Sequence, residues 1–322
     1  MKEFIININD SGQRIDKFLT KAVKNLPKSM LYKSIRTKKI KLNGKRCEIS
    51  TVLKEKDILT LYINDDFFTD EFDYRFLKAN ADINIVYEDE NIIIINKEKG
   101  IVVYDDNDVN VNTLINKMKK YLYEKGEYNI EKENSFSPAI CNRLDRNTCG
   151  LIIGAKNAQA LRLINEKIRK REISKKYLCL TIKNPPNIED TLTAYIYKDS
   201  ETNKVNISEK MQEKYSEIIT KFKLLKTVDD LSLVEVELIT GKTHQIRAHL
   251  SFEGFPILGD TKYGDYNTND RYKVYHQALC AYKIEFKFQD ENFLSYLNKR
   301  EFFISDIWFL NIDKIKERRF GI

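Results

Sequence analysis

The sequence predicts an α+β protein in two parts. A small N-terminal α+β domain is expected over residues 1–63. A larger domain over 82–322 is expected on a mixed, largely antiparallel sheet with flanking helices. Three observations carry that expectation. Helical apolar spacing recurs in short stretches near the start, and strand-like runs at hairpin spacing with few helices between them dominate after residue 82. An acidic, aromatic stretch at 64–81 without clean periodicity separates the two.

In chain order, "QRIDKFLTKAVKNL" sets Ile15, Phe18, Leu19, Ala22 and Leu26 on one helical stripe with lysines opposite; Ser11 and Gly12 precede it and Pro27 ends or restarts it. "PKSMLYKSIRTKKIKLNGKRC" continues as a second short helix and then turns through Asn43-Gly44, a strong hairpin signal, before "DILTLYI" closes the unit as a strand. "NDDFFTDEFDYRFLKANA" reads as a connection packed in part through its phenylalanines. "NIIIINKEKGIVVY" reads as a strand, a turn at Gly100 and a second strand, and "VNTLINKMKKYL" as a helix from near Asn112. "GLIIGAKN" is a buried strand running into the helix "AQALRLINEKIRKRE", where Leu161, Ile164 and Ile168 share a face. "SKKYLCLTI" is a strand. "SLVEVELIT" is a half-exposed one, with Val234, Val236 and Leu238 inward and Glu235 and Glu237 outward.

No apolar stretch approaches the roughly 18 residues of a membrane span, and the start has none of the regions of a signal peptide. Five scattered cysteines without a Cys-x-x-Cys pair argue against a disulfide framework or zinc site, so a cytoplasmic protein with reduced thiols is expected. The net charge of +7 is concentrated: residues 11–63 hold 14 Lys/Arg against 4 Asp/Glu, leaving 41 against 44 elsewhere. A lysine-rich solvated face would give the same count, but a compact basic unit is also the footprint of a phosphate-backbone binder. On "RIDKFL", "SMLYKSIRTKKIKLNGKR" and the closing strand, residues 11–63 resemble the alpha-L RNA-binding module of ribosomal protein S-four type. That resemblance implies RNA contacts from Lys28, Ser29, Lys33, Arg36, Lys38, Lys39, Lys41 and Lys45.

For chemistry, the absences narrow the choice: there is no Gly-x-Gly-x-x-Gly, Walker loop, His-Glu-x-x-His or Gly-x-Ser-x-Gly. Only His244, His249 and His276 are available, so a multi-histidine metal site is not expected. "AICNRLDRNTCGLIIGAKN" sets Asp145 between Arg143 and Arg146, either as a turn aspartate with ion pairs or as a carboxylate held ionised for chemistry. "ITGKTHQIRAHLSFEGFPILGDTKYG" leaves a strand, turns at Gly241 and enters a helix carrying Gln245, Arg247 and His249. It could equally be an ordinary loop capped by Thr243. Tyr177 opens the strand "KKYLCL", where a tyrosine alone is more often a packing residue.

Taken together and in this order, "NRLDRNTCGL", "KKYLCL" and "GKTHQIRAHLSFEGFPILGDTKYG", with "HQALCAYKIEF" downstream, resemble the RluA-type RNA pseudouridine synthases over about residues 83–310. The resemblance implies Asp145 as catalytic carboxylate, Arg247 as the cation that holds it charged, and Tyr177 as the ring against the base, assisting proton removal from carbon five. It implies a substrate-facing set of Arg143, Arg146, Thr148, His244 and Gln245, with Arg143 by the nucleophile and helping to take the place of the extruded nucleotide. The absent motifs and apolar spans lead to the expectation of no metal or other cofactor and no membrane, while the resemblance implies an RNA partner with large-subunit ribosomal RNA as the commonest target; monomer is the default. Four positions depart from the family pattern: Asn142 for His, Cys149 for Ser, Lys242 for Arg and Glu98 for Pro. The alternatives are a catalytically silent RNA-binding or ribosome-assembly protein on the same scaffold, or a synthase acting on transfer RNA. A carboxylate-pair glycoside hydrolase would need a second acidic partner that no motif supplies.

Overall fold

The computed structural model describes residues 1–68, 73–104, 110–199, 201 and 204–317. Residues 69–72 of the expected connection and 318–322 at the end of the expected second domain lie outside these.

The first 61 residues hold a core of their own. Strand β1 (Lys2–Ile5) leads to helices α1 (Ile15–Ala22) and α2 (Lys28–Arg36) and then to strands β2 (Ile40–Leu42), β3 (Lys45–Arg46) and β4 (Ile58–Leu61). The sheet runs β1-β4-β2-β3. Ile15, Phe18 and Leu19 face it from α1 and Leu31 and Ile35 from α2, all buried. Pro27 stands at the N-cap of α2, where its missing N–H costs nothing and its fixed φ suits the entry. Asn43 and Gly44 both take positive φ, 51° and 73°, as the two-residue turn between β2 and β3 requires. Only β1 was not foreseen, being too short for its alternation to register.

This unit is docked on the rest of the chain by polar contacts. Asp10, fully buried, accepts from Ser135 Oγ and Asn134 Nδ2, each at 2.6 Å. Asn9 donates to Glu133 at 2.7 Å and accepts from the Ala158 N–H at 3.0 Å. In the connection, Phe76 is buried with Tyr123 and Tyr128 around it, ring centroids 5.8 Å away in both cases.

The remaining elements are β5 (Ile85–Glu88), β6 (Ile92–Lys97), α3 (Leu114–Glu124), β7 (Ala139–Ile140), β8 (Cys149–Ala155), α4 (Ala158–Arg169), β9 (Ile173–Ile182), β10 (Glu189–Lys198), β11 (Val205–Ser208), β12 (Ser216–Val228), β13 (Leu231–Leu238), α5 (Gln245–Phe252), α6 (Tyr266–Arg271), β14 (Leu279–Phe286), β15 (Glu301–Phe303) and α7 (Ile312–Glu317). Among the described residues the strands form one sheet in the order β11-β10-β12-β13-β9-β14-β8-β6-β5, with β15 on β14 and β7 on β8. Its pairings are antiparallel except β14 with β8, so the mixed, largely antiparallel α+β expectation holds. Each face of the sheet carries its own hydrophobic cluster.

At the parallel pair the backbones come unusually close. A Cβ on Gly150, whose φ is 118°, would lie 2.3 Å from the Ala281 carbonyl oxygen. The expected second strand in "IVVY" does not form. The Val102 and Val103 carbonyls instead accept the N–H groups of Leu114 and Ile115 at the start of α3, and the Ile101 carbonyl accepts from Lys97. Those carbonyls are spent on a helix start and a buried ammonium, so they are not free for a sheet ladder.

Candidate active site

Asp145 sits in the loop between β7 and β8, and the loop is fastened from both sides. Asn142, buried, accepts the Ile153 N–H at 2.8 Å and donates to the Leu151 carbonyl at 3.4 Å, tying the loop to β8. Lys97 ends the apolar strand β6 fully inside the protein. Its ammonium donates to the carbonyls of Glu98, Ile101 and Arg146, each at 2.9 Å, which matches its three N–H groups. Burial lowers its pKa to about 8, against the partial support of Cys149, Asp145 and Cys280. The Gly100 N–H also donates to the Arg146 carbonyl, at 2.9 Å.

Helix α5 delivers Arg247 to this loop from a hundred residues away. Its Nη1 donates to Asp145 Oδ2 at 2.7 Å. Its other edge is gripped by Asp260, with Nε to Oδ2 at 2.7 Å and Nη2 to Oδ1 at 3.0 Å, the bidentate fork that guanidinium and carboxylate share. Asp260 is 1% exposed and also accepts the N–H groups of Lys262 and Tyr263. Burial works against its charge, but the bonds from Arg247 and the two backbone donors outweigh it and hold the carboxyl below its ordinary range. Burial likewise opposes the charge on Arg247, and its two carboxylate partners more than offset that. Asp145, by contrast, keeps 28% of its side-chain surface accessible. One guanidinium therefore carries a sealed carboxylate behind it and an open one in front.

Tyr177, near the middle of β9, forms the wall beside Asp145. It is 6% exposed; burial first, then the Asp145 charge, raise its pKa above the usual phenol value. It stays a phenol at neutral pH.

The pocket in front of Asp145 is lined by Arg143, Thr148, Tyr177, Lys242, His244, Gln245 and Arg247 with apolar neighbours. The arrangement gathers most of the expected residues, with two differences. Arg146 is exposed but is not part of that lining; its carbonyl, rather than its side chain, is engaged. Gln245 does line the wall, but its amide is saturated within the fold: the oxygen accepts from Thr240 and the Lys242 N–H, and the nitrogen donates to the Ile219 carbonyl and Thr220. It sets the start of α5 and has no free group for a substrate. Thr148 accepts from Gln277 at 3.2 Å. Thr243 does not cap α5. His244 takes that position in a left-handed conformation, φ 55°, with Nδ1 2.9 Å from the Tyr263 hydroxyl and Nε2 3.9 Å from Asp145 Oδ2. His249 points away, into a buried contact with Thr220, and burial lowers its pKa to about 4.

The four departures fall into place around this geometry. Asn142 is a loop fastener, and Cys149 donates to the Leu279 carbonyl at 3.6 Å. Lys242 and Glu98 are exposed, with backbone groups engaged. Three residues were not assigned roles from sequence. Asp260 and Tyr263 lay inside the quoted "GDTKYG" block. Lys97 carried its own signal, a lysine two positions after a run of four isoleucines.

An accessible carboxylate fixed by a guanidinium, beside an aromatic wall and with Arg143 and Lys242 exposed nearby, is a set of groups suited to an enzyme that works on a polyanion carrying flat bases. Residues 91–252 match the family described as RNA pseudouridylate synthase. The chain is 38% identical over 313 residues to an RNA pseudouridine synthase of Mycoplasma capricolum, covering 96% of this chain and 99% of that one. It is 33% identical over 294 residues to ribosomal large subunit pseudouridine synthase C of Buchnera aphidicola subsp. Baizongia pistaciae, covering 87% and 88%. Among solved structures, human RNA pseudouridylate synthase domain containing 4 shares the fold, with a TM-score of 0.57 at 21% identity, over 73% of this chain and 92% of that one. The chain belongs to the RNA pseudouridylate synthase family: it is an RNA pseudouridine synthase, an isomerase that acts on RNA. Among the described residues no helix is long and apolar enough to cross a membrane.

Proposed function

We propose that this enzyme isomerises uridines in large-subunit ribosomal RNA. In this reading Asp145 is the reacting carboxylate, Arg247 the cation that orients it, and Tyr177 the ring that covers the extruded base. The observation that carries the reading is the 2.7 Å pair of Arg247 with an accessible Asp145 at a pocket walled by Tyr177. The second carboxylate, Asp260, is sealed and saturated, so a glycosidase-like acid–base pair has no support.

The target base must leave its stack, at a cost of a few kcal/mol, and meet stacking and edge contacts in the pocket. Arg143, exposed at the pocket rim, is suited to the space the nucleotide vacates. The C1′–N1 bond breaks, the base turns, carbon five bonds to C1′, carbon five loses its proton and N1 gains one. Tyr177, on the pocket wall beside Asp145, is placed to cover the base and to assist removal of the proton from carbon five.

The proposed domain division is 1–63 as an alpha-L RNA-binding module, 64–81 as connection and 82–322 as catalytic domain. Lys28, Ser29, Lys33, Arg36, Lys38, Lys39 and Lys45 are exposed; Lys41, half-buried, lies over the Tyr62 ring at 5.3 Å. Support for the ribosomal target comes from the name of the Buchnera relative. Mapping pseudouridines in cells lacking the gene tests it. Loss of one or more large-subunit sites is the expected result, and loss confined to transfer RNA would move the target.

A further inference from the structure

His244 lines the pocket beside Asp145 with a chemistry the reading above leaves unused, and its surroundings favour one position for its proton. Tyr263 Oη accepts the N–H of Val205 at 3.0 Å and lies 2.9 Å from His244 Nδ1. The hydroxyl has one hydrogen, and the acceptor within its reach is Nδ1. Donation from the hydroxyl to Nδ1 is the arrangement that uses its hydrogen inside the protein, and it leaves the single ring proton of a neutral imidazole on Nε2. The opposite side of the ring gives the same answer independently. Nε2 faces Asp145 Oδ2 at 3.9 Å, and a carboxylate favours an N–H, not a lone pair, turned toward it. Burial, together with the nearby Arg247 and Lys262, keeps a second proton off the ring against the pull of Asp145. The ring is aimed by a left-handed backbone at residue 244, a conformation that a non-glycine residue adopts at some cost and that clusters at functional sites.

An N–H and a carboxylate oxygen 3.9 Å apart can both lie about 3 Å from one shared point, which is the criterion for a reacting group held between them. When the C1′–N1 bond of a uridine breaks, its electron pair stays with the base, and the negative charge spreads over N1 and the two carbonyl oxygens. We propose that His244, held as the Nε2–H tautomer by Tyr263, donates a hydrogen bond to a carbonyl oxygen of the departing uracil and stabilises the charge that develops there. This role rests on the uridine-isomerase reading of the Asp145 pocket. No proton is transferred from the ring, so it needs no recharging while the base turns and carbon five bonds to C1′. A donor already in place requires no reorganisation at the moment of bond breaking, which is what makes such groups effective. Tyr263 is then a positioning residue acting through His244.

Two measurements on the full-length protein test this. Nitrogen-15 spectra of histidine-labelled enzyme report the tautomer without any turnover. The wild type should show His244 protonated at Nε2, and Tyr263→Phe should admit the Nδ1–H form. Single-turnover release of tritium from carbon five of labelled uridine, in RNA taken from cells lacking the gene, reports the chemistry. His244→Phe should slow release about 100-fold, the order found for loss of one such donor, with RNA affinity unchanged. His244→Gln, whose amide can offer an N–H from a similar position, should recover part of the rate. A wild-type spectrum with the proton on Nδ1, or full-rate release by His244→Phe, would overturn the assignment. If His244→Phe does not fold, Tyr263→Phe decides: an unchanged tautomer and rate would overturn the proposal. Absence of tritium release from the wild-type enzyme would instead strike the uridine reading itself, and the spectrum keeps the two failures apart.

Discussion

At the scale of single residues, the site is organised around one guanidinium shared by two carboxylates of opposite character. Removing Asp260 would leave the buried Arg247 charge with half its compensation, and losing one partner of a buried pair typically costs about 3–5 kcal/mol. Asp260→Ala is therefore expected to lower the unfolding free energy by that order in denaturant titrations, and to lower kcat because Arg247 is no longer aimed at Asp145. The pH dependence has a definite sign. The Asp260 carboxyl is held below its ordinary value in the folded state. Its contribution is complete above the unfolded pKa of about 4 and is lost as pH falls through the lower folded value. The stability difference between wild type and Asp260→Asn should then shrink below about pH 4; a gap that stays constant into acid would contradict the assignment. Much of this was legible residue by residue, since Asp145, Tyr177 and Arg247 each lie in a local motif. The grip of Asp260 was not, because a motif gives residue types in order but not which carboxylate faces which edge of a guanidinium.

At the scale of elements, the parallel contact of β14 with β8 sets the mouth of the site, because β8 begins four residues after Asp145 and β9, on the other side of β14, carries Tyr177. Gly150 permits that contact. Its φ of 118° excludes ordinary side chains, and a Cβ there would overlap the Ala281 backbone, which cannot swing aside as a side-chain tip could. Gly150→Ala should cost at least the 1–3 kcal/mol or so typical of overpacking, and should reduce turnover more than RNA binding as the Asp145 loop shifts. Equal stability of the two proteins in thermal and denaturant unfolding would show that the strands can part at no cost. Strands and helices were read where apolar periodicity was plain, as in β13 and α4, whereas β10, β11 and β12, rich in exposed polar residues, were not assigned. The "IVVY" segment misled because its β-branched composition favours a strand, whereas its carbonyls are claimed by the start of α3 and by Lys97, partners that lie outside the local pattern.

At the scale of the whole molecule, the basic unit is joined to the rest by part-buried hydrogen bonds between residues more than a hundred positions apart, Asp10 with Asn134 and Ser135 foremost. Nothing in a local stretch announces such a pairing, so the sequence indicated a basic module without indicating where it rests. Its exposed cations Lys33, Arg36, Lys38 and Lys39 have no carboxylate partner among the described residues. Replacing these four by glutamine should weaken RNA binding and reduce the slope of log affinity against log salt by about 0.7–0.9 for each phosphate that is no longer neutralised. An unchanged slope would place the RNA elsewhere on the surface. The central claim, that Asp145 carries the chemistry, is tested most directly by complementation. Cells lacking the gene receive either wild-type enzyme or Asp145→Asn, and pseudouridine is mapped in their RNA. The expected result is that wild type restores the missing sites, while Asp145→Asn restores none despite binding RNA nearly as well. Restored sites with the Asn variant would contradict the account.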